Sequence, residues 1–93
     1  MKIALLEVTI RIPWAHSLKE KRSEVKSMLA KLRSKFNASA VESASQDDCQ
    51  TAVLAVAMLA FDSAQGDSMM ERVLGFVEAN TQGEVVKVLQ EYR

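Results

Sequence analysis

The chain has 93 residues, 48% of them hydrophobic and 26% charged, with no formal net charge at neutral pH; this suits one domain that buries roughly 60–70% of the surface its unfolded form exposes. One cysteine, Cys49, and one histidine, His16, exclude an internal disulfide framework, a CxxC redox pair and a His/Cys metal centre. No stretch reaches the roughly 18 apolar residues that a bilayer span needs, and the start at Met1 to Leu6 has no long apolar run behind a basic segment, so a cytoplasmic protein in a reducing compartment is expected.

Lys2 to Ile12 alternates Ala4, Leu6, Val8, Ile10 and Ile12 with Ile3, Leu5, Glu7, Thr9 and Arg11, the period of two of a strand. Pro13 ends it, because proline cannot donate to a sheet ladder, and Trp14, Ala15 and His16 form the turn. Ser17 followed by Glu20 has the spacing of a capping box, in which the serine oxygen accepts from the Glu20 N–H and the glutamate reaches back to the serine N–H. A helix is predicted from there to Asn37, with Leu18, Val25, Met28, Leu29, Leu32 and Phe36 in one core-facing stripe about 100° wide. Ala38 to Ser45 reads as a short polar strand suited to a sheet edge, and Gln46, Asp47 and Asp48 as a turn. Thr51 to Phe61 is almost wholly apolar, as a strand buried on both faces would be. A second helix is predicted over Ala64 to Asn80, with Met69, Met70, Val73, Phe76 and Val77 inward and weakened by Gly66 and Gly75; Glu84 to Tyr92 closes as a strand after Gly83. The order βαββαβ gives a single ferredoxin-like α+β sandwich over residues 1–93, a four-stranded antiparallel sheet with the first and third strands central and two helices on one face. The helix-free face would then be apolar, and a homodimer through it is expected.

The charges are segregated. Leu18 to Phe36 holds seven basic residues against Glu20 and Glu24, a surplus of +5, so the rest of the chain carries −5. On a helical wheel Arg22, Arg33, Lys26 and Lys19 lie about 40 to 100° round from Leu18, a basic shoulder beside the apolar stripe. Such a shoulder can follow a phosphate backbone by charge alone, or stand as the solvated side of an ordinary helix.

Catalytic constellations are missing. The turn after the first strand lacks the glycines of a phosphate cradle, and the Asp47-Asp48 pair sits in a turn where aspartate is a common turn-former. His16 reads either as a general base or phosphate donor beside Lys19, or as a loop residue bonded to backbone; Trp14 reads as a base-stacking platform or as a plug over the sheet end. Cys49 reads as a small hydrophobe. The aliphatic first and third strands lack the aromatics on which RNA-recognition sheets stack bases, and the GxxG of a KH module is absent. No enzyme activity, metal or cofactor is expected.

The run His16-Ser17-Leu18-Lys19-Glu20-Lys21-Arg22, continued by Lys26, Phe36-Asn37, Val41-Glu42, Gln46-Asp47, Gln50, Ala52-Val53-Leu54 and Val56-Ala57, resembles the YlxP-like family of small bacterial proteins, a domain of unknown function. Cys49 and Ala60-Phe61 depart from the family's pattern. The resemblance implies a ferredoxin-like fold and, because such genes stand among those for transcription and translation factors such as ribosome-binding factor A, a role near ribosome assembly or translation. The expected function is a non-enzymatic factor touching ribosomal RNA or a ribosome-associated protein through Lys19, Lys21, Arg22, Lys26 and Arg33, with His16 beside them. The alternative is a protein-interaction module that docks an acidic partner on the same helix or a strand on the edge at Ala38 to Ser45.

Overall fold

The computed structural model describes residues 1–44 and 47–93; Ser45, expected to end the second strand, and Gln46, expected in the following turn, lie outside the described residues. The elements run β1 (Lys2–Arg11), α1 (Leu18–Lys35), β2 (Ser39–Ala44), β3 (Thr51–Ala60), α2 (Ser63–Asn80) and β4 (Glu84–Tyr92). They form one antiparallel sheet in the order β2-β3-β1-β4, with β1 and β3 central and both helices on the same face, the ferredoxin-like arrangement. No helix among the described residues is long and apolar enough to cross a membrane.

The core is made where two period-two patterns coincide. Antiparallel register sets Ala4 opposite Met58, Leu6 opposite Val56, Val8 opposite Leu54 and Ile10 opposite Ala52, and all eight side chains are buried beneath the helices. From above, α1 adds Val25, Met28, Leu29 and Leu32, and α2 adds Met70, Val73 and Val77. The helices also meet through an edge-to-face contact of Phe36 with Phe76, ring centres 5.5 Å apart.

β3 departs from the expected strand buried on both faces. Its helix-facing half is sealed, but on the other face Leu59 is 67% exposed and Ala55 and Ala57 are only half-buried, because no element among the described residues covers that face. That open face also carries Ile3 and Leu5, with Glu7 among them, set opposite Ala55 on one side and Leu89 on the other.

The caps differ in one detail each. Ser17 Oγ accepts from the Glu20 N–H at 3.2 Å as expected, but the Glu20 carboxylate accepts from the N–H of His16, at 3.3 Å. α2 begins one residue before its expected start, on a second capping box: Asp62 Oδ1 accepts from Gln65 N–H at 2.9 Å while Gln65 Oε1 accepts from Phe61 N–H at 2.5 Å. The connection into β4 needs Gly83, since a Cβ there would collide with the Arg11 carbonyl and the Ile10 side chain.

Candidate functional site

The candidate site is the first two turns of α1 and the connection that leads into it. Cys49 and Gln50, in the turn just before β3, hold this connection. The Gln50 side-chain amide donates to the carbonyls of Pro13 at 3.1 Å and Ala15 at 3.3 Å, and Cys49 Sγ lies 3.7 Å from the Ala15 carbonyl. Ala15 is buried beneath, so Trp14 and His16 on either side are turned outward; Trp14 is 38% exposed and His16 exposed. Trp14, partly exposed, lines a shallow hollow with Ser17, Lys19, Glu20, Ser23 and Glu24.

Lys19, Arg22 and Lys26 follow at intervals of three and four, one above another on the exposed flank of α1. Among the described residues none of them pairs with a carboxylate; the ion pairs there are Lys21 with Glu42 and Arg93 with Glu91. At 1.5 Å per residue the three span about 10 Å of helix. The acids Glu20 and Glu24 fall on the opposite flank, which faces α2 across a polar crevice lined by Ser23, Glu24, Ser27, Lys31, Asn80 and Gln82.

Two of the expected binding residues are placed elsewhere. Lys21 is not a surface cation: its side chain is fully buried, its Nζ sits 2.9 Å from Glu42 Oε2 on β2 and donates to the Thr51 carbonyl at 3.1 Å. An ammonium leaves water only where a carboxylate and carbonyl oxygens replace the lost hydration. On the wheel Lys21 stands about 300° from Leu18, between Met28 and Leu32 and so inside the apolar stripe, a signal that the charge count passes over. Arg33 stays exposed as a residue, but its guanidinium is folded against β2, with Nη2 donating to the Ala40 carbonyl at 2.6 Å. It ties the helix to the edge strand and is separated in role from Lys19, Arg22 and Lys26.

Asp48 is occupied as a turn-former. Its Oδ1 accepts from Gln50 N–H at 2.8 Å, and that bond is the largest cause holding its carboxyl below the usual aspartate value. Gln50, the residue that positions the Trp14–His16 connection, carries no periodic or charge signal of its own.

The family described as a protein of unknown function, DUF503, matches residues 3–90 of the chain. The uncharacterized protein YlxP of Bacillus subtilis (strain 168) is 35% identical over 65 residues, which cover 70% of this chain and 71% of that relative. Fold and similarity agree with the motif around Lys19 and Arg22, and the chain belongs to the DUF503, YlxP-like family.

Proposed function

We propose that this protein is a non-enzymatic factor that contacts RNA, or a ribonucleoprotein of the ribosome assembly or translation machinery, through Lys19, Arg22 and Lys26, with His16 in the connection that leads into the same helix. The observation that carries this reading is the separation of α1 into a flank of three exposed, carboxylate-free cations and a flank bearing both acids. Three cations in a row suit successive phosphates. Lys21 and Arg33 serve the reading indirectly, by fixing α1 against β2.

The test is the triple variant Lys19→Glu, Arg22→Glu, Lys26→Glu. In wild type, binding to ribosomal RNA falls with salt; in the variant the log–log slope flattens by about 2 to 3, at roughly 0.7 to 0.9 for each phosphate no longer neutralised, and the protein leaves the ribosomal fraction of a lysate. Co-sedimentation that is unchanged in the variant refutes the reading. Co-sedimentation that needs the three cations yet survives nuclease treatment assigns the ridge to an acidic protein instead.

A further inference from the structure

The sheet has two lateral edges, and β4 is the long one. Among the described residues no strand lies beyond its nine, none of the nine is buried, and Val86 and Leu89 are 48% and 50% exposed. A long edge strand with apolar side chains and unpaired backbone groups is a template for another strand.

The hydrogen-bond parity of β4 fixes which of its groups are available. Ile3 and Arg93 exchange both backbone bonds, at 2.8 and 3.0 Å, and the register continues without a shift to Thr9 opposite Lys87. Antiparallel pairs alternate, so Glu91, Leu89 and Lys87 turn their N–H and C=O groups toward β1, while Val88, Gln90 and Tyr92 turn theirs away from the sheet. The side chains of Lys87, Leu89 and Glu91 share the open face. Outward from Leu89, this row is positive two residues before it and negative two residues after, the Glu91 carboxylate also being held by Arg93 Nε of its own strand at 2.8 Å.

We propose that β4 pairs antiparallel with β4 of a second copy, about a two-fold axis at Leu89, to make one continuous eight-stranded sheet. In that register the outward groups of Val88 meet those of the partner's Gln90 and the reverse. Lys87 stands opposite the partner's Glu91, and the two Leu89 side chains meet on the axis. Sliding the axis by one residue destroys the match: centred on Val88 it sets Lys87 against Leu89, and centred on Gln90 it sets Lys87 against Arg93. Lys87 and the bulge beside it are devices that discourage indiscriminate edge pairing, and here the lysine is satisfied only by a strand carrying an acid four positions on, which this strand does. The open sheet face is the poorer contact between copies, because Glu7 lies half-buried at its middle and stacking there would strip that carboxylate of water.

Pairing is confined by the bulge to about five residues, so the interface is small and the dissociation constant is on the order of 0.1 mM. Sedimentation equilibrium up to about 1 mM should show a monomer–dimer equilibrium, and amide exchange at Val88 and Gln90 should slow as concentration rises. Lys87→Glu and Glu91→Lys should each weaken the dimer about tenfold, and the double variant, which restores opposite charges, should recover it. Gln90→Pro should abolish the dimer with the fold retained by circular dichroism, since by the strand's parity that N–H points away from β1 and an edge strand tolerates proline there. A monomer at about 1 mM overturns the proposal, as does a double charge swap that fails to rescue. So does a dimer indifferent to Gln90→Pro but abolished by Leu59→Asp, which would move the interface to the open face.

Discussion

The two βαβ halves of this molecule solve one structural problem with different chemistry. In each, the first turn of the helix must be tied down to the edge strand of its own half. The fourth residue of α1 is Lys21 and the fourth residue of α2 is Gly66. Lys21 reaches down to Glu42 on β2 as a buried ion pair. Gly66 is buried because β4 sends Tyr92 up against it: a Cβ at Gly66 would lie 2.5 Å from Tyr92 Cε1. The Tyr92 hydroxyl then donates to the Ser63 carbonyl at 2.8 Å and is bonded to the Asp67 carboxylate. One lock is ionic and sealed, the other aromatic and at the surface. The contrast teaches that a shared scaffold fixes where a lock is needed, while the solvation of that place decides what a broken lock costs.

The ionic lock should fail hardest. Glu42→Ala leaves the Lys21 ammonium in a fully buried site with the Thr51 carbonyl but without its carboxylate, and unfolding free energy should drop by about 3–5 kcal/mol in urea melts. Lys21→Ala should cost somewhat less, since the Glu42 side chain retains 16% exposure and some water. The double variant Lys21→Met, Glu42→Leu, which replaces both charges with apolar groups of similar volume, should lie within about 1 kcal/mol of wild type. If the double variant is as unstable as Glu42→Ala, the cost belongs to packing and the ionic description of this half is wrong.

What the sequence alone discloses follows the same division. β1, the caps' serine and the α1 stripe are local patterns, and the alternation of Ala4, Leu6, Val8 and Ile10 is the alternation of buried side chains. Long-range polar partners are not local. Glu42 stands 21 positions from Lys21, and Arg33 meets the Ala40 carbonyl only once β2 lies under α1, so charge counting places both cations on one surface with Lys19, Arg22 and Lys26. The wheel position of Lys21 inside the apolar stripe is the available clue. Gly66, expected to weaken α2, is required by Tyr92, a contact across 26 positions that no periodicity encodes. The open half of β3 escapes the sequence for a related reason: an unbroken apolar run shows that a strand is apolar on two sides, but not whether a second layer exists to cover both.

The aromatic lock should show a smaller, graded loss. A methyl group added at Gly75 would meet nothing within 4 Å, so Gly75→Ala should stabilise by about 0.5–1 kcal/mol through helix propensity alone. Gly66→Ala gains the same propensity but drives the Tyr92 ring off its seat, and should be net destabilising by about 1 kcal/mol. Equal effects of the two alanines in thermal or urea melts would mean that Tyr92 is not held against α2.

The aromatic half also carries a pH dependence. Loss of solvation first, then the bond to Asp67 and its negative charge, push the Tyr92 hydroxyl from 10 up to about 12. The folded state therefore holds this proton more tightly than the unfolded chain does. Its contribution is complete below the unfolded value of about 10 and is lost as pH rises from there through about 12, where the unfolded chain has already released the proton. Lysines titrate in the same range, so the measurement is the difference between wild type and Tyr92→Phe, which keeps the ring on Gly66 and deletes only the hydroxyl. Below about pH 9 the wild type should be the more stable of the two by a constant margin, and that margin should close between about pH 10 and 12. A margin that stays constant across the window would show that the hydroxyl is not bonded to Asp67, and the second half would then be held by the ring contact and the Ser63 carbonyl.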